Sequence, residues 1–244
     1  MTAHPRIDVP KEFSVCVRAL GGHVLDDEKG AYKSENADYW FAAVGVVAEL
    51  KCLTDNLMTS PEFEARIRER YAEWVREGLV PRPTTEQVTI DLKALPEVCA
   101  REITNILKRK LEPILRKANS QIDATKTLLD VPDATGLLIL VNDGNHAHTP
   151  DMMRHLLARS TNGQLSSIDC VSYFTVNERA AIPQSPKAAR FWIDWNLEGR
   201  KVLAQRFRDD LRGEWLRHLS LLTGGRIVEM LGAGSPDEIV FVTE

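Results

Sequence analysis

The sequence predicts an α/β fold, a central mixed β-sheet flanked by helices, on three observations. The apolar run Leu137-Leu138-Ile139-Leu140-Val141 has the continuous hydrophobicity of a strand buried on both faces. Two strand-like segments, 37–41 and 46–53, are separated by only four residues, a hairpin spacing. Segments with helical spacing alternate with these and with later strand-like runs. The chain has 244 residues with no internal repeat and no Pro/Gly/Ser-rich linker, so 1–244 reads as a single domain. Its core spans about 10–180, with a C-terminal helical extension and final strand over about 187–244.

The elements follow in order. Asp8 before Val9-Pro10 caps a helix on which Phe13, Cys16, Val17 and Leu20 share a face, and Gly21-Gly22 stops it. Val15 leaves a strand over 13–18 as the competing reading. Ser60-Pro61-Glu62 starts a second helix with Phe63, Ile67, Tyr71, Trp74 and Val75 as its apolar stripe. Residues 87–92 are a strand candidate. Pro96 opens a long helix with Cys99, Ile103, Ile106, Leu107, Leu111 and Ile114 on its apolar side, and Pro113 predicts a kink or a restart. The strand at 136–141 ends in the turn signal Asn142-Asp143-Gly144-Asn145. Met152, Met153, Leu156 and Leu157 mark a helix, and 168–176 another strand. Leu203, Phe207, Leu211, Trp215, Leu219 and Leu222 predict the C-terminal helix, stopped by Gly224-Gly225, and 239–242 a last strand.

The chemistry concentrates in the hairpin. Strand side chains alternate, so Glu49 and Lys51 project from one side of their strand while Ala48, Leu50 and Cys52 face the other. Hairpin pairing brings Asp38 beside them, converging two carboxylates and an ammonium on one patch. Acids set between apolar stretches are costly unless a cation satisfies them. Mg²⁺ suits the role, since it takes oxygen ligands and needs only one or two carboxylates plus waters and a substrate phosphate. Lys51 could then hold the attacking water or offset developing negative charge.

Asp38, ten intervening residues and then Glu49-Leu50-Lys51 resemble the PD-(D/E)XK nuclease superfamily. A Glu-x-Lys triplet alone is expected about once by chance in such a chain; the hairpin context gives it weight. The resemblance implies a restriction-endonuclease-like fold and hydrolysis of DNA or RNA phosphodiesters with Mg²⁺ (or Mn²⁺), in a defence or DNA-processing system. It makes Asp38 and Glu49 metal ligands, the Leu50 carbonyl a further ligand and Lys51 the catalytic lysine. The proline that precedes the family aspartate is replaced by Ala37. Many members add an upstream glutamate, for which Glu12 is the positional candidate and Asp26, Asp27, Glu28 and Glu35 compete. Some place a Gln or Lys on a helix facing the site, a place open to Gln121 and Lys126.

Rival signals are fewer. His146 and His148 form an H-x-H flanked by acids after the central strand, the kernel of a zinc hydrolase or simply two histidines in a polar loop. Ser166-Ser167 lacks a nucleophile elbow and reads as a helix-to-strand connection. No phosphate-binding glycine motif supports a nucleotide cofactor. Phe191-Trp192-Ile193-Asp194-Trp195 either stacks on bases or packs as core. The same nuclease fold without catalysis, as a nucleic-acid-binding or interaction module, is the alternative function. Four scattered cysteines, no basic-then-apolar N-terminal pattern and no run of 18 apolar residues point to a cytoplasmic protein with no membrane partner. Specificity is left to a homodimer or a partner subunit. The net charge of −4 is an average: residues 101–126 carry +4 and 187–217 carry +3, leaving −11 elsewhere. It therefore disfavours binding of a polyanion by the whole surface, not by a local groove, with DNA the expected partner.

Overall fold

A computed structural model describes residues 6–28, 36–54, 60–83, 94–144, 153, 155–157, 165–177, 180–181, 188–225, 227–231 and 238–243. Its first helix, α1 (Val9–Ala19), starts where the Asp8 side chain accepts a hydrogen bond from the Lys11 N–H at 3.3 Å. Val9, Phe13, Cys16 and Val17 form its buried stripe, so the helical period prevails over the strand reading of 13–18. α2 (Pro61–Arg76) is capped by Ser60, and Phe63, Ile67 and Trp74 are buried. α3 (Glu97–Leu128) runs through Pro113 without a restart, with Leu111 and Leu115 buried on either side of it. α4 (Gln205–Thr223) ends at Gly224, and Leu203 lies buried just ahead of its first turn.

The strands are β1 (His23–Val24), β2 (Tyr39–Phe41), β3 (Val46–Leu53), β4 (Thr135–Asn142), β5 (Cys170–Thr175), β6 (Ala180–Ala181), β7 (Ala188–Asn196), β8 (Ile227–Leu231) and β9 (Glu238–Thr243). They form one mixed sheet in the order β1-β2-β3-β4-β5-β7-β9-β8, with β6 paired to β7 off this path. β3, β4 and β5 are parallel, and the other pairings are antiparallel. The class is therefore α/β, as the alternation of elements predicts.

Each face of the sheet has its own core. Val47, Leu138, Leu140, Val171 and Tyr173 pack with the buried faces of α2 and α3. Ala48, Leu50, Leu137, Ile139, Val141, Phe174 and Trp192 pack with α1 and α4. The strict alternation along β4 explains why 137–141 had to be apolar throughout. Residues 187–244 add three strands to this sheet, so the segment contributes more to it than the helix and final strand read from the sequence. Trp192 lies in β7, fully buried and stacked on Phe174 with ring centroids 4.3 Å apart, which commits it to the core and away from base stacking. The strand candidate at 87–92 and the histidines His146 and His148 lie outside the described residues. Among the described residues no helix is long and apolar enough to cross a membrane.

Gly136 shows how tightly β4 is overlain. A Cβ at this position would lie 1.8 Å from the Ser167 carbonyl oxygen, a backbone atom with no freedom to retreat. A Cβ on Gly213, within α4, would meet nothing within 4 Å. Gly136→Ala is therefore expected to lower the thermal midpoint sharply or abolish cooperative folding. Gly213→Ala should raise stability by about 0.5–1 kcal/mol through the helix preference of alanine. Similar small effects at both sites in thermal melts would contradict this packing.

Candidate functional site

The β2–β3 hairpin is joined by a short 3₁₀ turn, Ala42–Val44, closed by Gly45 in the left-handed region at φ 63°. The strands pair only over Tyr39 with Ala48, Trp40 with Val47 and Phe41 with Val46. β3 then continues alone along β4, with Glu49 level with Leu138 and Lys51 with Leu140. At this fork the Asp38 Oδ2 accepts the Leu50 N–H at 2.7 Å, where a neighbouring strand would have offered a carbonyl. A strand residue's N–H and C=O point to the same side, so the Leu50 carbonyl faces the same opening.

Glu49 and Lys51 share the sheet face covered by α3. Glu49 is fully buried, and Lys51 Nζ donates to its Oε1 and, at 2.8 Å, to Oε1 of Gln121. Gln121 Nε2 donates to the Asn36 carbonyl at 3.0 Å. One turn further along α3, the Thr125 hydroxyl oxygen accepts the Ala37 N–H at 2.7 Å. α3 thus holds both the lysine and the segment that presents Asp38. The structure brings Asp38, Glu49, Leu50, Lys51 and Gln121 together. Thr125 escaped the sequence reading, although its i, i+4 spacing from Gln121 places both on one helix face.

Burial sets the charge state of both carboxyls. Burial pushes the Glu49 pKa up to about 8, the Asp38 charge adds to the rise, and Lys51 opposes it. Asp38 is also raised, first by burial, with the Leu50 N–H and Lys51 opposing and Asp26 adding to it. The Oε2 atom of Glu49 is buried and has no hydrogen-bond partner. Two carboxylates, one with an unsatisfied oxygen, and a backbone carbonyl suit a hard cation such as Mg²⁺, whose other ligands are waters or phosphate. Among the described residues, no group of three or more His, Cys, Asp or Glu could hold a metal ion.

Two candidates stand elsewhere. Glu12 belongs to α1, which packs on the opposite face of the sheet, and its Oε2 meets His218 Nε2 of α4 at 2.8 Å. That bond holds Glu12 below the usual carboxylate range. Lys126 is five residues past Gln121 and so turned about 140° around α3. Its Nζ donates to the Ser167 carbonyl at 3.1 Å and lies 3.5 Å from Asp169, fastening α3 to the chain entering β5. Burial pulls the Lys126 pKa below that of an ordinary lysine. Of the competing upstream acids, the Asp26 charge reaches Asp38, while Glu35 lies outside the described residues.

No protein-family model, curated protein or solved structure matches the chain.

The raised Glu49 pKa has a measurable sign. Below pH 4.5 the carboxyl is protonated folded or unfolded; from there to about pH 8 only the folded state keeps the proton. Stability therefore falls as pH rises through that window, by at most about 1.4 kcal/mol per unit, and levels off above it. Glu49→Gln removes this titration. With divalent ions chelated, the variant should gain on the unsubstituted protein progressively from pH 5 to pH 8 in denaturant unfolding. A difference that stays constant with pH would overturn the assignment.

Proposed function

We propose that the protein is a divalent-cation-dependent nuclease of restriction-endonuclease-like fold that hydrolyses phosphodiester bonds of nucleic acid, DNA in the first place and RNA as the alternative. The observation that carries this reading is the buried, partnerless Oε2 of Glu49 beside Asp38, with Lys51 held against the same carboxylate. Structural acids acquire partners; an acid left short of one beside a second acid fits a position for a cation. The resemblance of Asp38…Glu49-Leu50-Lys51 to PD-(D/E)XK nucleases agrees with it.

In this reading Asp38, Glu49 and the Leu50 carbonyl hold Mg²⁺ or Mn²⁺. The bound cation would acidify a water and polarise the scissile phosphate. Lys51, steadied by Gln121, presents its ammonium to the attacking water or to the charge developing on the phosphate. Gln121 acts through Lys51 and through the Asn36 carbonyl, so it is a positioning residue. A second reading, a nucleic-acid-binding module without catalysis, draws on the count of only two carboxylates at the site among the described residues.

Cleavage of plasmid and labelled oligonucleotides with Mg²⁺ or Mn²⁺ separates the two. The unsubstituted protein should cut, while Asp38→Asn and Lys51→Ala should each lose about 10²-fold or more in rate. Cleavage surviving both substitutions would sink the site; nucleic-acid binding without any cleavage would favour the module. Cation binding carries its own signature, because Glu49 must give up its proton to serve as a ligand. Apparent affinity should rise with pH, at most tenfold per unit, and level off near pH 8. Calorimetry at pH 7 in buffers of different ionisation enthalpy should register release of about one proton, and Glu49→Gln should register none.

A further inference from the structure

Residues 36–38 carry the Asp38 carboxylate, yet they belong to no strand: pairing of β2 with β3 begins only at Tyr39. Their backbone groups are met one by one from other elements. The Asn36 carbonyl accepts from Gln121 Nε2 at 3.0 Å, the Ala37 N–H donates to the Thr125 hydroxyl oxygen at 2.7 Å, and the Asp38 carbonyl accepts the Leu25 N–H at 2.9 Å. Gln121 and Thr125 stand one turn apart on the same face of α3.

Threonine is a poor choice for a helix interior on propensity, and a buried one ordinarily returns its hydroxyl to the carbonyl four residues back. Thr104 in the same helix does so, donating to the Ala100 carbonyl at 2.8 Å. Thr125 is fully buried, and its oxygen takes the N–H immediately before Asp38 in the chain. Ala37 is buried as well, so without that acceptor its N–H would be left unsatisfied or would move toward water and carry Asp38 with it.

We infer that Thr125 is a positioning residue for Asp38: through the Ala37 N–H it holds the carboxylate on the Leu50 N–H, and so sets the affinity of the fork for a divalent cation. The cation step rests on the nuclease reading; the positioning step does not. Because Gln121 holds the same three residues and also Lys51, α3 fixes the spacing of the carboxylate and the ammonium as one unit.

Amide hydrogen exchange of the full chain in EDTA, followed residue by residue by NMR, measures the positioning step. The Leu50 N–H is tied to Asp38 Oδ2, whereas the Lys51 N–H points the opposite way, toward β4, and serves as internal reference. Thr125→Val nearly keeps the shape and removes the acceptor, and should speed Leu50 exchange about tenfold or more relative to Lys51. Thr125→Ser, which restores the hydroxyl, should restore the protection. Thr104→Val, about 31 Å away along α3, should leave the ratio unchanged. Thr125→Ala, the better helix former, takes the place of Thr125→Val if the valine variant does not fold. An unchanged ratio on removal of the hydroxyl, failure of serine to restore it, or an equal rise in Thr104→Val would overturn the assignment. Calorimetry with Mn²⁺ is scored separately: Thr125→Val should weaken binding about ten- to a hundredfold, and Thr125→Ser should not. If Leu50 responds as stated but the unsubstituted protein neither binds Mn²⁺ nor cleaves nucleic acid, the positioning stands and the nuclease reading falls. Cleavage with Leu50 indifferent to Thr125 does the reverse.

Discussion

Leu50 donates its backbone N–H to the Asp38 carboxylate, 2.7 Å away, in place of a neighbouring strand, and the rest of the site depends on that exchange. It lets β2 stop pairing after Ala48 while β3 continues, so that one edge of β3 is lined by a side chain and opens at Leu50. The segment carrying Asp38 has little freedom to drift. The Asn36 carbonyl is held by Gln121, the Ala37 N–H by Thr125 and the Asp38 carbonyl by the Leu25 N–H at 2.9 Å. Three elements, α3, β3 and the turn after β1, thus fix one carboxylate before any ligand arrives. Such preorganisation is what allows fixed charges to act on a reacting group without reorganisation cost.

Other buried acids in the same sheet show what is different about Glu49. Asp194 lies in β7, almost wholly buried, yet its oxygens accept from the Ser172 hydroxyl and, at 2.8 Å, from Trp192 Nε1, with Arg212 at 3.7 Å. Asp169 accepts the Gly136 N–H at 2.8 Å and the Lys201 N–H at 3.3 Å, with Lys126 nearby. Both are structural: their partners complete a strand edge or join layers. Glu49 is buried as deeply but is left with an oxygen that nothing satisfies. Burial of a carboxyl beside a second carboxyl opposes folding at neutral pH, so the surrounding apolar core of α3, β3 and β4 must hold it in place. A position that costs stability and is nonetheless rigidly supported is more readily understood as functional than as structural.

Much of this was legible in the sequence. The capped 3.6-residue period of α1, the uninterrupted apolar run of β4 and the close spacing of the hairpin are local signals, and each led to its element. The alternation of strand side chains was enough to place Glu49 and Lys51 on one face. β7 was harder, because Arg190 and Asp194 occupy buried positions where a strand pattern expects apolar residues. Trp192 stands two residues from Asp194, but Val176, which accepts from Arg190, and Ser172, which donates to Asp194, lie 14 and 22 residues away from them. Glu12 misled for a related reason. Its partner, His218, lies 206 residues away, and which face of the sheet α1 covers is decided by tertiary packing. Gln121 and Lys126 looked alike as polar residues ahead of β4, and only the 140° turn between them sends one to the site and the other to Asp169.

The net charge of the molecule does not oppose the proposed polyanionic substrate at a distance. A net −4 spread over the surface repels nucleic acid weakly, and at physiological ionic strength that repulsion fades over about 8 Å. At the site itself the Asp38 carboxylate opposes an approaching phosphate, and in the proposed reading a cation would offset that charge. In the proposed reading the cation would therefore govern when a phosphate can approach the site.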